Sequence, residues 1–196
     1  MSTVLKPRFT ADEYLQWESE QSEKHEYLAG EVFEVFAMAG ARREHVVVSG
    51  NMFAAFKQAL RGSGCQAYIA DMKLRVEQAD AFFYPDVMVS CSAQDRRAGL
   101  YLSEPKLIVE VLSDSTAAFD RGGKFAAYRS LPSLQEYVII DIADRRVECY
   151  RRTADNGWLL HDYTGEQICQ FTCIGVTMAL AEVFEDVVAE DEDAVG

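Results

Sequence analysis

Two short stretches place a single carboxylate where a buried strand would want none. Tyr84 to Cys91 reads YPDVMVSC and Leu107 to Ser113 reads LIVEVLS, so Asp86 and Glu110 each interrupt an apolar run. Stripping a carboxylate of water is costly unless it is paired, hydrogen-bonded or bound to a cation. If the two strands are neighbours, the carboxylates converge at one end of the sheet. Two such groups a few ångströms apart repel, and one takes up a proton unless a divalent cation binds between them. Oxygen-only ligands favour Mg²⁺ or Mn²⁺ over zinc. An ion of that kind activates a bound water and neutralises charge on a phosphoryl group, which is the chemistry of phosphodiester hydrolysis. Asp86 also fits a plain strand-end role after Pro85, whereas Glu110, between Leu107-Ile-Val and Val111-Leu, has no inexpensive structural purpose.

The elements that must position these residues can be read in outline. Thr10-Ala-Asp-Glu13 is a capping box that opens a helix through about Ser22. After a turn at Ala29-Gly30, Glu31 to Phe36 reads as a strand, and Arg42 to Leu60 as a helix with Phe53, Phe56 and Leu60 at helical spacing. Gln66 to Glu77 and Ala81 to Cys91 read as an antiparallel pair around Asp80. Leu107 to Leu112 is expected in the middle of a sheet. Ala117 to Leu131 carries a helix interrupted or delayed by Gly122-Gly123, and Glu136 to Ile142 is another central strand. Val147 to Arg151 and Trp158 to Tyr163 form an edge hairpin around Asp155-Asn-Gly157. The order predicts an α/β protein around one mixed sheet. It argues against a doubly wound nucleotide fold, and no glycine-rich phosphate loop is present.

With 196 residues, 49% of them hydrophobic, the chain suits one well-packed domain, read here as 10–187. Residues 188–196 read as an acidic, disordered tail. Seven acids and no Lys or Arg follow from Glu182 onward, so they supply seven of the 13 surplus negative charges. The remainder is mildly acidic, which places any nucleic-acid site in a local groove and not on a basic coat. No apolar run has the roughly 20 residues of a membrane helix, and the N-terminus lacks a signal-peptide core, so a cytoplasmic protein is expected. The five widely spread cysteines then read as reduced thiols that act as small core residues.

Pro85-Asp86, the spacing to Glu110 and the apolar strand around it resemble the PD-(D/E)XK nuclease superfamily. A longer pattern runs from about Thr10 to Val187. It includes Tyr27-Leu-Ala-Gly-Glu31, His45, Tyr84-Pro-Asp-Val87, Ile108-Val-Glu-Val-Leu-Ser113, Asp120-Arg-Gly-Gly-Lys124, Tyr128, Pro132-Ser-Leu-Gln-Glu-Tyr137 and Asp141. In order and spacing this is similar to the Uma-type putative restriction endonuclease family. The resemblance implies a restriction-endonuclease-like fold, a central mixed β-sheet flanked by helices, here with an additional C-terminal hairpin region. It implies a Mg²⁺- or Mn²⁺-dependent endonuclease acting on DNA, with Asp86, Glu110 and the carbonyl of Val111 as metal ligands. The superfamily's lysine would fall on Leu112, so its place is taken by Lys124 from the following helix, with Lys73 as the rival. Such a cation lowers the pKa of the attacking water and steadies the pentavalent phosphate.

Glu31 is a candidate third carboxylate, since the strand after the first helix often supplies one in this fold. His45, near a helix start, is a candidate phosphate contact or proton carrier, and equally a polar helix-start residue. Asp71 flanks a strand, while Asp114 and Asp120 read as turn and cap residues. Cutting both strands of a duplex pairs two such sites, which predicts a homodimer. A non-catalytic relative that binds nucleic acid or a protein partner, in a mobile-element or defence system, remains the alternative.

Overall fold

The computed structural model describes residues 8–34, 43–113 and 116–188. The acidic residues 189–196, Asp114, and the expected strand and helix ends at 35–36 and 42 lie outside the described residues. Helix α1 (Ala11–Glu18) begins at the foreseen capping box, with Thr10 and Glu13 satisfying each other's backbone amides. It leads to β1 (His25–Leu28) and β2 (Glu31–Glu34). Ala29 and Gly30, both at positive φ, make the turn between them. Helix α2 (Arg43–Ala59) is followed by β3 (Gln66–Ile69), β4 (Lys73–Val76), β5 (Ala81–Phe83), β6 (Val87–Ser90), β7 (Tyr101–Leu102) and β8 (Pro105–Val111). A helical segment comes next in three pieces: α3 (Ala117–Phe119), a π turn (Asp120–Lys124) and α4 (Phe125–Tyr128). Strands β9 (Glu136–Asp141), β10 (Arg146–Arg152), β11 (Trp158–Tyr163), β12 (Ile168–Phe171) and β13 (Val176–Ala179) precede α5 (Leu180–Val183).

Two larger sheets form where one was expected. One has the strand order β11-β10-β9-β8-β6-β3 and the other β2-β1-β5-β4-β7, while β12 and β13 pair separately. The stretches 66–77 and 81–91 do pair antiparallel, but neither is one continuous strand. Their hairpin passes from one sheet to the other: β3 pairs with β6 in the six-stranded sheet, and β4 with β5 in the five-stranded sheet. Two local features mark the crossing. Asp71 adopts a left-handed φ of 71°, and Pro85 has no N–H to give to a ladder. The C-terminal hairpin of β10 and β11 is found at a sheet edge as expected. Strand β1 and the β12–β13 pair were not foreseen, being short and without clean alternation.

Period-two alternation assigns the faces of the six-stranded sheet. Leu107, Val109 and Val111 point towards α2, where Val48, Met52 and Phe56 recur every fourth residue and are fully buried. Asn51 on α2 donates to the carbonyls of Val183 (3.2 Å) and Glu185 (2.9 Å), which ties down α5. Ile108 points the other way, into a second core with Leu74, Phe83, Met88, Tyr128 and Tyr137 between the two sheets. Tyr14, Tyr27 and Phe82 form a third, smaller core under α1. Strands β8 and β9 are parallel, so the chain must cross over between them, and the α3–α4 segment is that crossover. Among the described residues no helix is long and apolar enough to cross a membrane.

The thiol expectation holds for Cys149, Cys169 and Cys173 but not for the other two cysteines. Cys65 and Cys91 form a disulfide. Gln66 pairs with Ser90, so the residues just outside that pair face each other across the strand ends. Sequence separation hides this contact, because only the register of β3 on β6 creates it. The bridge closes a span of 26 residues, and its reduction is expected to cost about 3 kcal/mol through the freed unfolded chain. Urea melts with and without reductant, alongside a Cys65→Ser, Cys91→Ser double variant, measure it. Equal midpoints would refute it.

The fully buried Glu136 fastens β9 to the turn after β12. It accepts Arg151 Nε at 2.6 Å, Thr172 Oγ1 at 2.8 Å and the Cys173 amide at 3.2 Å. Burial alone would raise its pKa, but the bonds from Cys173, Arg151 and Thr172 outweigh this and hold it below the usual value. A depressed folded pKa stabilises above the unfolded value, and that stability fades as pH falls through the folded one. Glu136→Gln is therefore expected to cost roughly 1.5–3 kcal/mol at neutral pH, with the gap from wild type closing in acid. Paired urea titrations at several pH values test this, and a gap independent of pH would contradict it.

Candidate active site

Asp86 and Glu110 meet because of register. Val87, the first residue of β6, pairs with Val109 on the antiparallel β8, so the next residues outward, Asp86 and Glu110, are neighbours. Asp86 stands where the hairpin leaves the six-stranded sheet, and there its Oδ2 accepts the Val111 amide at 2.7 Å. Glu110 shares the strand face of Ile108 and points between the two sheets, where it is 3% exposed.

The crossover segment adds the cation. An extra residue in the π turn shifts the helical phase, and such turns are frequent at functional sites. Here it buries both Asp120 and Lys124. The Tyr137 hydroxyl holds the Asp120 carbonyl at 2.9 Å, and Arg121 pairs with Glu148 and, at 3.3 Å, with Asp141. Lys124 Nζ then lies 3.3 Å from Glu110 Oε1, 3.3 Å from Glu26 Oε1 and 3.2 Å from Asp120 Oδ1. Tyr128 donates its hydroxyl to the same Glu110 oxygen at 2.8 Å. Asp120 Oδ1 is buried and, among the described residues, receives no hydrogen bond despite its nearness to Nζ, so its tie to Lys124 is one of charge.

Three carboxylates thus surround one ammonium, and Asp86 adds its charge from farther off. Burial pushes the Glu110 carboxyl well above its ordinary pKa; Lys124 opposes this, while Asp120, Asp86 and Glu26 add to it. For Lys124 burial works against the charge, but Glu110, Glu26, Asp120 and Asp86 together hold its pKa well above the usual value. His45 Nε2 lies 3.3 Å from Asp86 Oδ2. Burial lowers its pKa, and the Asp86 carboxylate more than reverses that.

The structure therefore brings Asp86, Glu110, Val111, Lys124 and His45 together. It sets Glu31 and Lys73 apart. Glu31 is exposed on the edge strand β2 opposite Leu28, and the carboxylate this region lends to the cluster is Glu26 on β1. Lys73 lies over the Tyr84 ring, 5.4 Å from its centroid. Asp120, read from sequence as a cap, is instead a buried member of the cluster. Its four-residue spacing from Lys124 was the available signal. Glu26 offered none, because it lies on a short strand with no clear pattern.

Among the described residues no donor bonds Asp86 Oδ1 or Glu110 Oε2, two hard oxygens on adjacent strands. Among the described residues no three His, Cys, Asp or Glu side chains are arranged around one ion position. The donors fit a hard cation that keeps most of its water, as Mg²⁺ does, and do not fit a cage that supplies every ligand.

A mixed sheet with a carboxylate pair and lysine at one end is the architecture of restriction-endonuclease-like proteins. The fold matches the crystal structure of a putative nuclease belonging to DUF820 from Anabaena variabilis ATCC 29413, with a TM-score of 0.74. The match covers 90% of this chain and 97% of that one, at 15% identity. The chain belongs to the Uma2 family, described as putative restriction endonuclease, whose profile matches residues 11–181. It is 35% identical over 178 residues to the uncharacterized protein slr1290 of Synechocystis sp. (strain ATCC 27184 / PCC 6803 / Kazusa), covering 91% of this chain and 92% of that protein. It is 37% identical over 159 residues to the uncharacterized protein sll1609 of the same strain, covering 80% and 88% respectively.

Proposed function

We propose that the protein is a Mg²⁺- or Mn²⁺-dependent endonuclease that hydrolyses phosphodiester bonds in DNA. The observation that carries this reading is the buried Lys124 ammonium held against Glu110, beside the Asp86–Glu110 pair on adjacent strands. Asp86, Glu110 and the Val111 carbonyl would hold the cation. When bound, it supplies a Lewis acid for the phosphoryl oxygen and an acidified water. Lys124, fixed in advance by Glu26 and Asp120, would orient the attacking water and stabilise negative charge on the phosphate as it grows. Tyr128 fixes the Glu110 carboxylate by its hydroxyl bond. His45, paired with Asp86, would hand a proton to the departing oxygen or meet a flanking phosphate.

Cutting both strands of a duplex with this centre takes two copies, so duplex cleavage goes with a homodimer, and a DNA substrate goes with action in the cytoplasm. One observation favours the non-catalytic alternative: Lys124, His45 and Arg121, the cations at the cluster, are already paired with acids. Thermal melts in Mn²⁺ titrations, run with plasmid and oligonucleotide cleavage assays, decide between them. A metal-dependent rise in melting temperature with strand scission is expected. The absence of both effects at millimolar Mn²⁺ would overturn the nuclease reading.

A further inference from the structure

Among the described residues only two phenylalanines count as exposed aromatics, and both border the carboxylate cluster. Phe33 is 46% and Phe119 37% exposed. Phe33 pairs with Glu26 across β1 and β2, so the two side chains stand side by side on the face that carries Glu26 to Lys124. Phe119 immediately precedes Asp120 and is fixed from behind. Its ring packs edge-on against Phe83, with centroids 6.2 Å apart, and Phe83 in turn lies 6.0 Å from Lys124 Nζ. Its ring also fills the space over Gly123, where a Cβ would come within 2.4 Å of Cε2. Glycine at 123 thus costs helix propensity and leaves room for the Phe119 ring beside the segment that carries Asp120 and Lys124.

A single exposed phenyl ring is ordinary, but two beside one charged cluster suggest a shared use. Among the described residues the cations at the cluster, Lys124, His45 and Arg121, each pair with an acid, and the chain carries a net charge of −13, so charge lends little grip on a polyanion. Base stacking does not depend on that balance, because every base offers a π face. It does require bases that are not stacked in a duplex. Resting on the nuclease reading, we propose that Phe33 and Phe119 are stacking platforms for unpaired bases on either side of the scissile phosphate. The substrate class is single-stranded nucleic acid, or a locally unpaired stretch. One cluster per strand suffices for such a substrate.

The test measures anisotropy of a fluorescein-labelled 20-nucleotide mixed-sequence single strand, and of the same strand in duplex, in EDTA. Wild type, Phe33→Leu, Phe119→Leu and Phe119→Trp are compared. Wild type is expected to bind the single strand at least tenfold tighter than the duplex. Each leucine variant loses about tenfold on the single strand and little on the duplex, with the slope of affinity against salt unchanged. Phe119→Trp retains affinity, and this rescue excludes a merely structural role. Equal affinity for both forms, or leucine variants that bind as wild type does, overturns the proposal. Cleavage of the same oligonucleotides in Mg²⁺ separates the two readings. Scission unaffected in the leucine variants leaves the nuclease and removes the stacking; stacking-dependent binding without scission in wild type does the reverse.

Discussion

Lys124→Met is expected to destabilise the protein by roughly 3–5 kcal/mol, the cost of leaving buried charges without their partner. The size follows from the number of acids that depend on one ammonium. Glu110 and Asp120 are 3% and 2% exposed, and with Glu26 all three lie within 3.3 Å of Nζ. Methionine keeps the aliphatic stem and removes only the charge. Under the metal-site reading Mg²⁺ or Mn²⁺ then has more to stabilise, and saturation about a hundredfold above Kd returns about 2.7 kcal/mol. Urea melts of wild type and variant, each with and without Mn²⁺, give both quantities. A loss below about 1 kcal/mol would mean that Lys124 is solvated in solution and not clamped.

Glu110→Gln is expected to behave in the opposite way for stability while abolishing activity. Removing this carboxylate does not strand Lys124, which keeps Glu26 and Asp120. Tyr128 can still donate to the amide oxygen, and one buried like charge disappears from a crowded set. Stability should stay level or rise, as at sites kept for function at the expense of packing. Metal-dependent cleavage should fall by more than about a hundredfold, since even residues that only support metal ligands cost 10–100-fold when changed. The melting-temperature rise with Mn²⁺ should vanish too. A large loss of stability, with no metal effect in wild type, would make Glu110 a structural ion-pair residue and retire the nuclease reading of it.

The two variants differ because of where each residue lies in the charge balance, and that balance was only partly legible from the chain. A lone acid in an apolar run is a local anomaly, so Asp86 and Glu110 stood out directly. Strand type, the central position of β8, the capping box of α1 and the hairpin of β10 and β11 are also local, being written in period-two alternation, cap chemistry and turn residues. The ordered motifs from Tyr27 to Asp141 carried the family. What tertiary structure alone decided is whatever depends on register and on which sheet a strand joins. The 66–91 hairpin was visible as a pair, but its passage between two sheets was not, and that passage is what sets Asp86 at a sheet end. Glu26 reaches Lys124 only because β1 lies in the second sheet facing the first, a relation with no trace in local pattern. Asp120 turns inward because a π turn shifts helical phase by one residue, and Cys65 finds Cys91 because Gln66 pairs with Ser90. Local spacing determines which face of an element a side chain occupies. Only the closing of the chain on itself determines what stands opposite that face.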